Sequence, residues 1–244
     1  MIIRRMADAV REQNWFTVII EIFIVVIGIF LGLQVTEWNN ARNEIQDQIN
    51  IEYRLLNDFT LLLNEVNGAI QFSEETIEGL SAVQAAMEAG VISDNAKQAF
   101  ETGLLRGQAG FSLANQSSTY AEIQSSGRLD LIKNEKTRIV LGRVVGNFTA
   151  RFTYFRDIYE TMSRAGVAQV FIKHRDLEPL WRDEAGNLAL GPIKSYDLNA
   201  MIDDDEMHAA VKFAVEMHTW AHSELIAQKR DIETVITALK ESNE

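Results

Sequence analysis

Cysteine is absent from this chain, so no disulfide framework and no thiolate metal site can form, and the redox compartment leaves no trace in the composition. Proline is nearly absent too: the two prolines, Pro179 and Pro192, lie close together, which leaves the rest of the 244 residues free of the strongest helix breaker. Positive charge is scarce, with 23 Lys and Arg against 35 Asp and Glu, for a net charge of -12. Such a chain is repelled by nucleic acid and by anionic membrane surfaces, and nucleic acid is excluded as a partner. Long apolar runs are missing everywhere except at one place. Residues 16–33, FTVIIEIFIVVIGIFLGL, contain only Thr17 and Glu21 as strongly polar positions.

A run of that length and composition predicts a membrane-spanning helix. Trp15 and Trp38 bracket it as interface anchors. Twenty-three steps at about 1.5 Å each put them roughly 34 Å apart, near the spacing of a bilayer's two aromatic belts. No small-x-small cleavage site follows the run, so it reads as an uncleaved anchor rather than a signal peptide. Residues 1–14 form a short N-terminus with Arg4, Arg5 and Arg11, whereas the stretch just after Trp38 carries only Arg42. The positive-inside rule then puts residues 1–14 in the cytoplasm, the span at 15–38 in an inner membrane, and residues 39–244 on the periplasmic or extracytoplasmic side.

The polar residues of the span are in phase. At about 100° per residue, Thr17, Glu21, Val25, Gly28, Gly32 and Thr36 share one stripe. Gly28 and Gly32 have the GxxxG spacing that lets two helix backbones approach closely where lipid gives no hydrophobic drive, and Glu21 on the same stripe is an acid that should face protein or water. The stripe predicts a helix-packing face. A single carboxylate on one helix is too little for a proton or ion pathway, and a GxxxG inside a span is not a phosphate loop.

Beyond the span the periodicity is mainly helical. Ile45, Ile49, Leu56, Phe59, Leu63, Val66 and Ile70 predict a continuing helix whose pattern fails at Arg42 and Glu52, and Ile77, Leu80, Val83 and Met87 predict a second segment from Ser73 to Ala89, stopped by Gly90. A shorter helix follows from Asp94, and residues 106–118 read as a loop. Thr119 with Glu122 fits a capping box for a short helix ending at Gly127, and Asn134 caps a long helix with inward Leu141, Val145, Phe148, Phe152, Phe155, Tyr159 and Met162. Asn147, Phe148 and Thr149 match a glycosylation sequon, but Phe148 is on the core stripe. Residues 174–203 lose all periodicity and hold both prolines, and so read as a long irregular loop. The acidic run Asp203 to Glu206 then caps a last helix with Val211, Ala214, Ala221, Leu225, Ile232, Val235 and Leu239 inward. The expected fold is all-α: one N-terminal transmembrane helix and a mostly antiparallel bundle of about four long helices.

Chemistry is thin in this sequence. His218 and His222 stand four apart on the last helix, a spacing at which two imidazoles can share a metal, yet no further ligand pattern accompanies them, and a buried, hydrogen-bonded histidine is the ordinary reading. Ser125 and Ser126 lack the strand-to-helix setting of a nucleophile elbow. No acid, base and nucleophile can be assembled, so neither catalysis nor a cofactor is expected.

The stretches EIFIVVIGIFLGLQVTEWNNAR (21–42) and TYAEIQSSGRLDLIKNEKTR (119–138) resemble an uncharacterised bacterial family of N-terminally anchored helical proteins. Glu21, Gly28, Gln34, Trp38 and Asn39 match its first motif; Ser125, Ser126, Gly127, Leu129, Leu131, Ile132 and Asn134 match its second. The resemblance implies the same topology and brings no activity with it. The chain is expected to be a non-enzymatic accessory or scaffold protein that associates with itself or with a membrane protein partner, the alternative being an extracytoplasmic bundle that senses a small ligand.

Overall fold

The structure, a computed structural model, describes residues 15–110, 116–182, 188–189 and 191–242; the side chains at 15–18, 21, 181–182 and 188–189 are outside that description. The expectations placed on residues 1–14, and on the side chains of Trp15, Thr17 and Glu21, therefore lie outside the described residues. The chain divides into two compact units, Met1–Ile51 and Glu52–Glu244.

Helix α1 spans Trp15–Ala89 without interruption. Its proximal part constitutes the described portion of the first unit, and there every apolar side chain described from Ile19 to Val35 is exposed. The separate helix expected from Ser73 is the distal end of α1, because nothing in the sequence between Ile70 and Ser73 breaks helical hydrogen bonding. Gly90, at φ 72°, ends the helix in the left-handed conformation that the sequence assigned to it.

In the second unit, α1 is followed by a 3-10 turn, Asp94–Ala96, and α2, Lys97–Arg106. Then come α3, Ser118–Ser125; α4, Glu135–Arg164; and α5, Val167–Lys173. The chain closes with α6, Leu198–Ile202, and α7, Asp205–Glu241. Among the described residues the long helices of the bundle are three, α1, α4 and α7, where about four were expected. Their directions follow from the contacts. Thr137 donates to the Ala238 carbonyl, Asn147 to Asp231 and Arg151 to Glu224, so α4 and α7 are antiparallel. Ser242 meets Glu52 and the His218 carbonyl meets Ser73, so α1 and α7 are antiparallel as well.

Burial on α1 and on α7 follows a seam of positions alternating by threes and fours. On α1 the buried positions include Glu52, Leu55, Phe59, Leu62, Val66, Ala69, Ser73, Thr76, Leu80, Val83 and Met87. On α7 they include Met207, Val211, Ala214, His218, Ala221, Leu225, Gln228, Ile232, Val235 and Leu239. This is the knobs-into-holes spacing of helices packed at shallow angles. Leu56 and Leu63 are only half-buried, Ile45 and Ile49 are exposed, and on α4 Phe152 is 43% exposed while Val144 and Ile158 are buried instead. Phe59 and Phe148 meet with ring centroids 6.3 Å apart, joining α1 to α4 at the centre of the bundle.

The expected irregular loop at 174–203 is in part ordered strand and helix. β1, Arg175–Leu177, pairs antiparallel with β4, Ile193–Tyr196, and β2, Trp181–Arg182, pairs antiparallel with β3, Leu188–Ala189. Strands of two to four residues offer too few alternations to show a period of two, which is why the sequence pattern was silent. A Cβ built on Gly191 would enter the Glu178 carbonyl, so the close crossing in this hairpin requires glycine.

Candidate functional site

In the first unit the candidate site is a helix face. The apolar part of α1 includes an 18-residue window of mean hydropathy 1.7, none of it buried, near the N-terminus. It is the one helix among the described residues long and apolar enough to cross a membrane. Val25 is 60% exposed, and a Cβ built on Gly28 or Gly32 meets no atom within 4 Å. No contact among the described residues of the first unit therefore explains these glycines. Thr36 Oγ1 donates to the Gly32 carbonyl at 2.9 Å, which satisfies the hydroxyl inside the helix. Gln34, Trp38 and Asn39 are all exposed on the same helix, Trp38 to 67%.

The second motif is a helix junction. α3 starts two residues earlier than the capping box expected from Thr119 and Glu122: Ser117 is the N-cap, its Oγ accepting from the Tyr120 amide at 3.0 Å. Asp58, on α1, accepts from Ser117 Oγ at 2.7 Å and from the Thr119 amide at 2.9 Å, and Glu122 is left to pair with Arg54 instead. Burial pushes the Asp58 carboxyl up, but the hydrogen bonds from Thr119, Ser117 and Ser118 outweigh that and hold it below its ordinary value. At the far end of α3, Gly127 at φ 73° closes the helix and the Arg128 amide reaches back to the Ile123 carbonyl. Ser125 and Ser126 bond only to carbonyls of their own helix end, while Leu131 and Ile132 are buried and Asn134 Oδ1 accepts from the Lys136 and Thr137 amides to cap α4. These residues join two helices.

His218 is buried, and Nε2 is 3.2 Å from the Gly107 carbonyl while Nδ1 has no partner among the described residues. Burial lowers its pKa, partly opposed by that backbone hydrogen bond. His222 has Nε2 4.0 Å from Glu74. No group of three or more metal-ligating side chains occurs among the described residues. His218 occupies a core position on α7.

Other charged groups carry no sequence motif. Asp204 caps α7 through the Glu206 amide and also bonds Lys173 Nζ and His174 Nε2, each at 2.7 Å. These two partners hold its carboxyl far below the usual carboxylate range. One signal for this cluster was visible in the sequence, the acidic run read as a cap; its partners at 173 and 174, thirty residues away, were not. Arg175 is 6% exposed, and burial pushes its guanidinium down to about 10. With the Gln108 amide oriented to suit both neighbours, Gln108 accepts from Arg175 Nη2 at 2.5 Å and donates to the Ala168 carbonyl at 3.2 Å. A cavity of about 280 Å³ lies against the β1 and β4 strands, lined by His174, Asp176, Ser195 and Asp197 among others. A larger one of about 510 Å³ lies between α5 and the start of α7, with Val167, Val170, Ala210 and Phe213 as its apolar wall and Glu206 and Gln169 as polar groups.

No curated protein and no solved structure matches the chain. A family model does, over residues 21–170, from the acid inside the apolar run into α5. Both stretches that carried the resemblance fall inside that range, and the chain belongs to the family of unknown function DUF6090.

Proposed function

We propose that this chain is a non-enzymatic, single-pass membrane accessory or scaffold protein that associates through the exposed face of its apolar helix. The observation that carries this reading is the state of Gly28 and Gly32: they lie four apart on a fully exposed apolar helix, and space around each is empty. Glycine in the middle of a helix costs about 0.5–1 kcal/mol relative to alanine, a cost that is offset when another backbone approaches closely. In this reading the N-terminus is cytoplasmic, the span crosses an inner membrane, and the bundle of α1, α4 and α7 is presented outside the cytoplasm to a membrane protein partner or a homo-oligomer. The acidic surface keeps nucleic acid out of the account.

Replacing Gly28 and Gly32 with leucine tests the association. The expected result is loss of the complex recovered from gently solubilised membranes; an unchanged complex sinks the reading. Alkaline phosphatase fused after Glu244 tests the orientation, since that enzyme is active only outside the cytoplasm.

The cavity of about 510 Å³ beside α5 favours a second reading, a sensor bundle for a small ligand with an apolar body. A screen of common metabolites by thermal shift tests it, and the absence of any stabilising compound counts against it.

A further inference from the structure

The glycine face of α1 does not stop at the membrane boundary. At about 100° per residue, Gly28, Gly32, Asn39, Asn43, Gln46 and Asn50 fall within about 60° of one another. All six are exposed or half-buried, and all belong to the first unit. Outside the apolar run the stripe is therefore made of amides alone, on a chain whose net charge is -12. The charged residues Arg42 and Asp47 flank it, about 70° to either side.

We infer that the occupant of this face is a second copy of the same chain, aligned parallel and in register. This rests on the association reading above and names its partner. An amide both donates and accepts, so Asn43, Gln46 and Asn50 can each pair with the identical residue of a second copy across a two-fold axis, which a row of like charges cannot do. Asn39, Asn43, Gln46 and Asn50 follow one another by four, three and four residues, the spacing of inward positions in a two-stranded coil. Asn at such a position fixes register and favours parallel pairs. Arg42 then precedes one inward position and Asp47 follows the next. In a parallel pair a residue of the first kind lies opposite the residue five further on in the other strand, so Arg42 of each copy faces Asp47 of the other, twice by symmetry. An antiparallel pair would set Arg42 against Arg42 and Asp47 against Asp47. Ile49, 55% exposed on the Arg42 side, is partly covered in the parallel arrangement. Membrane insertion in one direction imposes the same parallel alignment on the glycines.

The chain lacks cysteine, so single cysteines report the face without background. Full-length Gln46→Cys and Gln48→Cys, the latter on the opposite side of the helix, are reconstituted in vesicles of phosphatidylcholine and phosphatidylglycerol and oxidised mildly. Gln46→Cys should give disulfide-linked dimer roughly tenfold in excess of Gln48→Cys, the discrimination that about 1.4 kcal/mol provides. In the Gln46→Cys background, Arg42→Asp alone and Asp47→Arg alone should each lower the yield, and the two together should restore it. Equal yields at 46 and 48, no dimer at 46, or a double variant no better than the singles overturns the second copy as occupant. If the dimer fails while Gly28→Leu with Gly32→Leu still releases a different membrane protein, only this inference falls; if those leucines also change nothing, the association reading falls with it.

Discussion

Gly79 on α1 and Gly103 on α2 touch backbone to backbone. A Cβ built on Gly103 would lie inside the Gly79 carbonyl and reach the Leu80 amide nitrogen at 2.7 Å, and one built on Gly79 would reach the Ala99 carbonyl at 2.7 Å. The pair Glu75 and Arg106 closes the crossing on one side, with the Arg106 guanidinium 4.9 Å from the Phe72 ring centroid. Both backbones are helical, so what glycine supplies here is closeness rather than freedom of φ.

Gly79→Ala and Gly103→Ala should therefore each destabilise the bundle by about 1–3 kcal/mol or more, the range for forcing a methyl group into a full interior. Gly146→Ala is the matched control. It sits within α4, where an added methyl would meet nothing inside 4 Å, and should stabilise by about 0.5–1 kcal/mol through helix propensity alone. Thermal melts of the detergent-solubilised chain distinguish the two signs.

Asp58 predicts an acid limb to stability. Its folded pKa is depressed, so the contribution of the carboxylate is fully present above the unfolded value near 3.8 and is lost as pH falls through the lower folded value. Asp58→Asn should weaken the bundle at neutral pH, because Ser117 Oγ and the Thr119 amide lose a charged acceptor, and should flatten the melting temperature against pH in that window. A pH series of wild type and variant reads both effects.

The overall fold was legible in the sequence because apolar residues mark two faces of every long helix. Its exact phase was less so. On α1, Leu55 stands beside Leu56, Leu62 beside Leu63 and Ala69 beside Ile70, so two seams one residue apart fit the apolar pattern equally well. The buried seam is the one that also takes Glu52, Ser73 and Thr76, and burial of polar residues is decided by partners that only the folded chain supplies. Ser242 donates to Glu52 at 3.1 Å and Ser73 donates to the His218 carbonyl at 3.4 Å. The same limit hid Asp58 and Asp204, whose hydrogen-bond partners are about sixty and thirty residues away. The glycine stripe of the apolar helix was legible because phase within one helix needs no tertiary information.

Arg175 gives a prediction of the opposite kind. Among the described residues, Nε and Nη1 of its buried guanidinium have no partner, while Nη2 donates to Gln108. Burying a cation with incomplete pairing is costly, and an apolar side chain of similar length is often as good or better. Arg175→Met should leave the melting temperature unchanged or raise it, whereas Gln108→Leu, which strips the remaining acceptor from the charge, should lower it.

His218 decides between a metal ligand and a core residue. Burial depresses its pKa, so the neutral imidazole belongs to the fold; stability is fully present above the unfolded value near 6.5 and is lost as pH falls from there through the folded value. His218→Gln can keep a donor near the Gly107 carbonyl but cannot take up a proton, so it should remove this part of the acid loss while leaving the limb set by Asp58. If His218 and His222 instead held zinc, the metal would stabilise wild type by mass action, and either histidine variant would abolish the effect. The expected outcome is a melting temperature indifferent to zinc at neutral pH, since Nε2 of His218 is engaged with Gly107 and no group of three metal-ligating side chains occurs among the described residues. A zinc-dependent rise lost in His218→Gln would make the last helix a metal site and reverse the assignment of His218 to the core.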